Sequence, residues 1–350
     1  MPSTTPLTTA DRRVIAECAA VVDVPKAAPP DSFVLHAPLE LLARALLLER
    51  VPDDARPAAR ERIAALATTY AAAGPSAASD DVPPIPDATT VDDVILSLAA
   101  AGHAPILLEL RPRVAEVPPT FGNGLVAMEL ARNPDWRFEW AADRVATGVP
   151  SGDLAERLAG PRSPGDPGSD FIYPTMHLVD VSGLAAEVLD GPLRQLSIED
   201  ARRILLRVAA HSMLQDTPTA APYQWTHCLT LPQAALAAAD AGADPDRAVA
   251  VAATYVLGFR AVQGRVRLDP TWTPAPGSAA QRILGAAGSD LPALVDEIVT
   301  FGALHADAHV AKYTLACLDA TAADPDAGSL FLAAAAHLHE VWRNAEAAAA

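Results

Sequence analysis

Apolar residues recur three and four positions apart along almost the whole chain, and no sustained stretch alternates apolar and polar residues at every second position. That period predicts helices at Thr9–Val22, His36–Arg50, Asp53–Ala73, Thr90–Ala101, Gly124–Arg132 and Pro174–Leu189. It predicts more at Ser197–Gln215, Pro222–Ala241, Asp244–Gln263, Leu291–Ala320 and Asp326–Ala347. Three of them carry start signals: Thr9, Ser197, and Asp244 followed by Pro245 in the first turn. The 32 prolines cluster between the segments, and Ala73–Thr90 and Ala159–Asp170, rich in proline and glycine, read as surface loops. The expected architecture is all-α, a single multi-helix, bundle-like domain over residues 1–350 with residues 1–30 as a peripheral N-terminal helix and loop.

Composition narrows the class. With 51% hydrophobic and 20% charged residues over 350 positions, the chain can bury a sizeable core. Its charge is 26 − 43 = −17 with no lysine- or arginine-rich run, which argues against nucleic acid and anionic membranes as partners. No apolar run is long enough for a signal core or a membrane span. Cys18, Cys228 and Cys317 have no paired spacing, as expected of a reduced cytoplasmic protein. Of the 26 basic residues only Lys26 and Lys312 are lysine, so a lysine retained inside an apolar helix draws attention to its amine.

That helix reads "HADAHVAKYTLACL", from His305 to Leu318. On an uninterrupted helix His305, His309 and Lys312 would fall within roughly 60° of one another. Two imidazoles suggest part of a metal site, but an ammonium beside a cation is repelled. One way out is reaction of a neutral Lys312 amine with carbon dioxide, giving an anionic carbamate with carboxylate-like oxygens. The rival reading is a snorkelling lysine, or one paired with Asp307 or Asp319. His36, His177 and His227 share a setting, each near the start of an apolar helix and close to a proline (Pro38, Pro174, Pro222). Each alone reads as a core residue, but several buried imidazoles are costly to desolvate unless something satisfies them jointly, as a metal does. Imidazole suits iron, zinc, copper or nickel. No G-x-G-x-x-G, G-x-S-x-G or H-E-x-x-H occurs, so no flavin or NAD(P) fingerprint is present.

In order along the chain, "LHAPLELLARALLLERVP", "FIYPTMHL", "YQWTHCLTLPQAAL" with its following helix, and "FGALHADAHVAKYTLACLDA" resemble segments of the questin oxidase-like family, across about residues 33–345. The resemblance implies oxidases and oxygenases of aromatic polyketides, with oxygen insertion of Baeyer–Villiger type or oxidative ring cleavage. It implies a non-heme iron, Fe(II), held by His36, His177, His227, His309 and a carboxylated Lys312, choosing His309 over His305. The expected partners are a small aromatic substrate and O2. Asp307 stands two residues before His309, where the family has an acid immediately before, and "HLVDVSG" replaces a glycine-rich segment after His177. On this reading His305, one turn from the ligands, either supports them from outside the coordination sphere or acts as a proton donor, and Tyr173, with Phe171 and Trp225, either stacks on the planar substrate or belongs to the core. Three rivals stand beside it: a cofactor-free oxygenase, a metal-dependent hydrolase, which would want several aspartates among its ligands, and a non-catalytic helical binding protein.

Overall fold

The structure is a computed structural model and describes residues 5–27, 32–85, 104–132, 197–216, 223–264, 266–269 and 271–349. The expected helices Thr90–Ala101 and Pro174–Leu189 and the loop Ala159–Asp170 lie outside these residues. The described chain is all-α, with no strand among its residues. Its helices are α1 (Thr9–Val22), α2 (Ser32–Leu48), α3 (Arg56–Ala72), α4 (Ala104–Leu110), α5 (Asn123–Arg132) and α6 (Ile198–Gln215). They continue as α7 (Tyr223–Asp240), α8 (Pro245–Gln263), α9 (Ala279–Leu284), α10 (Leu291–Leu304), α11 (Ala308–Ala323) and α12 (Gly328–Ala349).

Local chemistry explains the ends. Thr8, not Thr9, caps α1, in a capping box whose Asp11 carboxylate accepts from the Thr8 amide at 2.7 Å. Ser197 caps α6 through the Asp200 amide. Three expectations need correction. The helix expected over Leu291–Ala320 is two helices, α10 and α11. Asp307 breaks it, because its extended backbone and its side-chain bond to the His309 amide form an N-cap for α11. Second, α2 begins at Ser32, so His36 lies within the helix rather than at its start, and Pro38 is interior to it. Third, the helix expected from Asp53 begins at Arg56, and α4 and α9, absent from the expected set, are at 7 and 6 residues too short to show a helical period in the sequence.

The core is organised around α11, whose residues Val310 to Leu318 are all buried. A helix apolar on nearly all sides must be surrounded, and α11 packs on α2, α7, α10 and α12. Its approach to α10 is close. A Cβ added at Gly302 would lie 2.6 Å from Thr314 Oγ1, which is itself 2.8 Å from Nε2 of the buried His339. Gly302→Ala is therefore expected to push Thr314 aside, unsettle the His339 hydrogen bond, and destabilise the fold by about 1–3 kcal/mol. Chemical denaturation should show this as a lower midpoint at an unchanged slope.

Lys26, the other lysine, shows what a structural lysine looks like here. Its ammonium donates to Gly74 O at 2.9 Å, just past the end of α3, and lies 4.7 Å from the centre of the Tyr70 ring. The three cysteines are free and buried, and burial pushes the Cys18 and Cys228 thiols up to about 12, so they act as packing residues. Among the described residues no helix is long and apolar enough to cross a membrane.

Candidate metal centre

Three histidines from three separate parts of the sequence converge. His36 on α2, His227 on α7 and His309 on α11 each offer a ring nitrogen, and these atoms lie within 4.8 Å of one another. The ring centres are 4.4 Å apart for His36 and His309 and 4.9 Å for His227 and His309. His36 and His227 are buried, and His309 is nearly so.

Lys312, one turn after His309 on the same face of α11, joins them: its Nζ is 2.5 Å from His36 Nδ1. It is 4% exposed and among the described residues pairs with neither Asp307 nor Asp319. Burial lowers its pKa from 10.5 to about 7, against the opposing charges of Asp307 and Glu40. Near neutrality much of it is a free amine, the form that reacts with electrophiles or binds metal.

His309 is held in a defined orientation. Asp307 Oδ1 accepts from the His309 amide at 2.7 Å and lies 3.0 Å from the ring Nδ1. The satisfied arrangement places the proton on Nδ1 and leaves Nε2 as the lone-pair nitrogen. Burial lowers the His309 pKa, outweighing the Asp307 bond that raises it, with Lys312 adding to the lowering. Burial pushes the Asp307 carboxyl up, but the bonds and charge of His309 and the charge of Lys312 bring it below its ordinary value. Burial thus favours the neutral form of the His309 imidazole, the protonation state in which histidine ligates metals.

The donor types fit a transition metal. Metal–nitrogen bonds of about 2.1 Å at tetrahedral angles place ligand nitrogens about 3.4 Å apart. Nitrogens up to 4.8 Å apart must therefore draw together by as much as about 1.4 Å to share one ion. Among the described residues this group contains no carboxylate. A cavity of about 20 Å3, bounded by Lys312, Glu109, Thr230, Gln233 and Asp319, lies beside it, with room for one water-sized molecule rather than an aromatic ring.

The other expected site residues fall elsewhere. His305 ends α10 instead of sharing the face of His309 and Lys312. Its Nε2 is 3.0 Å from Glu346, its Nδ1 accepts from the Asp307 amide at 3.0 Å, and its ring packs on Phe301 and Trp342. Both nitrogens are engaged outside the cluster, so His305 is not placed as its proton donor; its ring nitrogen reaches the cluster through Asp307. Trp225 is a core ring, 1% exposed and packed on Phe259 and the Arg260 guanidinium, not a stacking platform. His177, Tyr173 and Phe171 lie outside the described residues. Sequence reasoning missed Asp307 as the orienting residue, although an acid just before an apolar helical run is a recognisable cap signal. It also passed over Glu40, Arg44 and Arg62, a buried charge group beside the site.

No family model, curated protein or solved structure matches the chain.

Proposed function

We propose that this protein is an oxidoreductase that binds a non-heme transition metal, iron foremost, and oxidises a small aromatic substrate with O2. The observation that carries the reading is the convergence of His36, His227 and His309, from distant parts of the chain, on the buried amine of Lys312. The site residues would hold the metal through three imidazoles, with His177 as a fourth on the strength of the resemblance. Iron, when bound, supplies the electron transfer that lets dioxygen react with an electron-rich ring. The resemblance to questin oxidase-like proteins extends the reading to aromatic polyketides, and to oxygen insertion or ring cleavage as the outcome.

Lys312 completes the donor set as a carbamate. Its neutral nitrogen attacks the carbon of CO2, a carbon–nitrogen bond forms, one carbon–oxygen π pair moves onto oxygen, and the amine loses a proton. His36 Nδ1, 2.5 Å away, is placed to take that proton, which leaves His36 Nε2 for the metal. Burial lowers the pKa of the amine to about 7, so a neutral fraction is available to react near neutrality. The three free, buried thiols accord with a cytoplasmic enzyme.

One observation supports a second reading. The short Lys312–His36 contact is itself a base pair able to take a proton from a phenol, as a cofactor-free oxygenase requires. Elemental analysis separates the two. Protein purified without a chelating tag should hold about one iron per chain, and His309→Ala and Lys312→Ala should both lose it. Full retention in Lys312→Ala would remove the carbamate while leaving the imidazoles. A wild-type protein that stays free of metal after anaerobic Fe(II) loading would favour the cofactor-free reading.

A further inference from the structure

The charge group beside the centre has a task that the metal reading does not use. On α2, His36 is followed by Glu40 and Arg44 at intervals of four, so the three form a stripe turned by about 40° per step. His36 faces the centre, while Glu40 and Arg44, each 1% exposed, run toward the turn between α10 and α11. Arg44 Nη1 donates to Ala303 O at 2.6 Å and its Nη2 to His305 O at 2.7 Å. Arg62, from α3, donates to Ala306 O at 2.7 Å. Both arginines also donate to one oxygen, Glu40 Oε1, at 2.7 and 3.2 Å.

The three carbonyls belong to the end of α10 and to the turn, where a helix leaves its last acceptors without intrahelical partners. Two rigid guanidinium forks, tied together by one carboxylate, therefore fix the path of residues 303–306. The next residue is Asp307, whose side chain caps α11 and orients the His309 ring. The same helix that presents His36 thus sets, through Arg44, the place from which His309 is presented.

We infer that Arg44, with Glu40 and Arg62, positions Asp307 and hence the His309 imidazole, so that two donors of the centre are fixed in register by one helix. This role rests on the metal reading only for its effect on metal binding; its effect on the His309 ring stands without it. Residues that orient a ligand from outside the coordination sphere typically contribute about ten- to a hundredfold in metal affinity.

The test uses Co2+ alone as the probe, with wild type, Arg44→Met, Arg44→Lys and the milder Arg62→Met, each checked for helicity by circular dichroism. Wild type should bind Co2+ with visible absorption bands. Arg44→Met should bind about tenfold to a hundredfold more weakly, with altered bands, and Arg44→Lys should recover part of both. In parallel, proton and 15N spectra of the imidazoles should show a protected Nδ1 proton on His309 that Arg44→Met loses. Should Arg44→Met fail to fold, Arg62→Met, which removes only the Ala306 and one Glu40 contact, carries the same two measurements with a smaller change.

A folded Arg44→Met that keeps wild-type Co2+ affinity, bands and Nδ1 proton would overturn the positioning role and leave the metal reading intact. A wild type that binds no Co2+, with an Nδ1 proton that still disappears in Arg44→Met, would sink the metal reading and uphold the positioning role.

Discussion

Replacing Lys312 with methionine is expected to make the metal-free protein more stable, by an amount that depends on pH. The ammonium lies in a site that lowers its pKa from 10.5 to about 7. For a base whose folded-state pKa falls below its unfolded value, folding is penalised wherever the unfolded chain holds the proton. The penalty is complete below pH 7, fades as pH rises from about 7 to 10.5, and vanishes above that. A difference of 10.5 − 7, at about 1.4 kcal/mol for each tenfold change, is roughly 5 kcal/mol. Loss of the hydrogen bond to His36 takes back about 1 kcal/mol. Methionine fills similar volume without a charge. Denaturant unfolding with chelator present should therefore show Lys312→Met more stable than wild type at pH 6, and the two converging by pH 10. Equal stability at pH 6 would mean that the lysine reaches water.

The opposite sign is expected at Glu40. Its carboxylate compensates Arg44, and both side chains are 1% exposed. Glu40→Ala removes the anion and leaves a guanidinium in the core, a change that typically costs about 3–5 kcal/mol. The midpoint of chemical denaturation should fall accordingly. Replacing both partners, Glu40→Leu with Arg44→Met, should recover much of the loss, because no charge is then left unpaired. If the double variant is no more stable than Glu40→Ala, the pair does more than neutralise itself, as expected if its bonds to the turn carbonyls matter most.

The helical period placed α1, α6, α7 and α8 to within a residue or two, because long amphipathic segments with cap residues announce themselves. It ran through the break at His305–Asp307, since neither glycine nor proline marks it and the apolar period resumes at once. Only the cap geometry of Asp307 reveals the two helices. The same failure misplaced His305, whose proximity to His309 in sequence suggested a shared face that the turn abolishes. His36, His227, His309 and Lys312 were legible as chemistry, by residue type in an apolar setting. Their meeting was not, because it depends on how α2, α7 and α11 pack. Arg44 read as an ordinary helix residue; its partners are backbone carbonyls some 260 positions away, which no local pattern encodes.

Both lysines of this chain are sheltered, Lys26 at the end of α3 and Lys312 in the middle of α11, at 5% and 4% exposure. Amine-directed labelling is thereby turned into a stability probe with two built-in sensors. A reagent in excess can modify either side chain only when its surroundings open, so the labelling rate at each reports the opening equilibrium there. Lys26 needs only to leave two carbonyls and the face of Tyr70, whereas Lys312 needs a core helix to part from its neighbours. Label should accordingly reach Lys26 first under mild denaturant, and Lys312 in step with global unfolding, with peptide mapping distinguishing the two without any engineered tag.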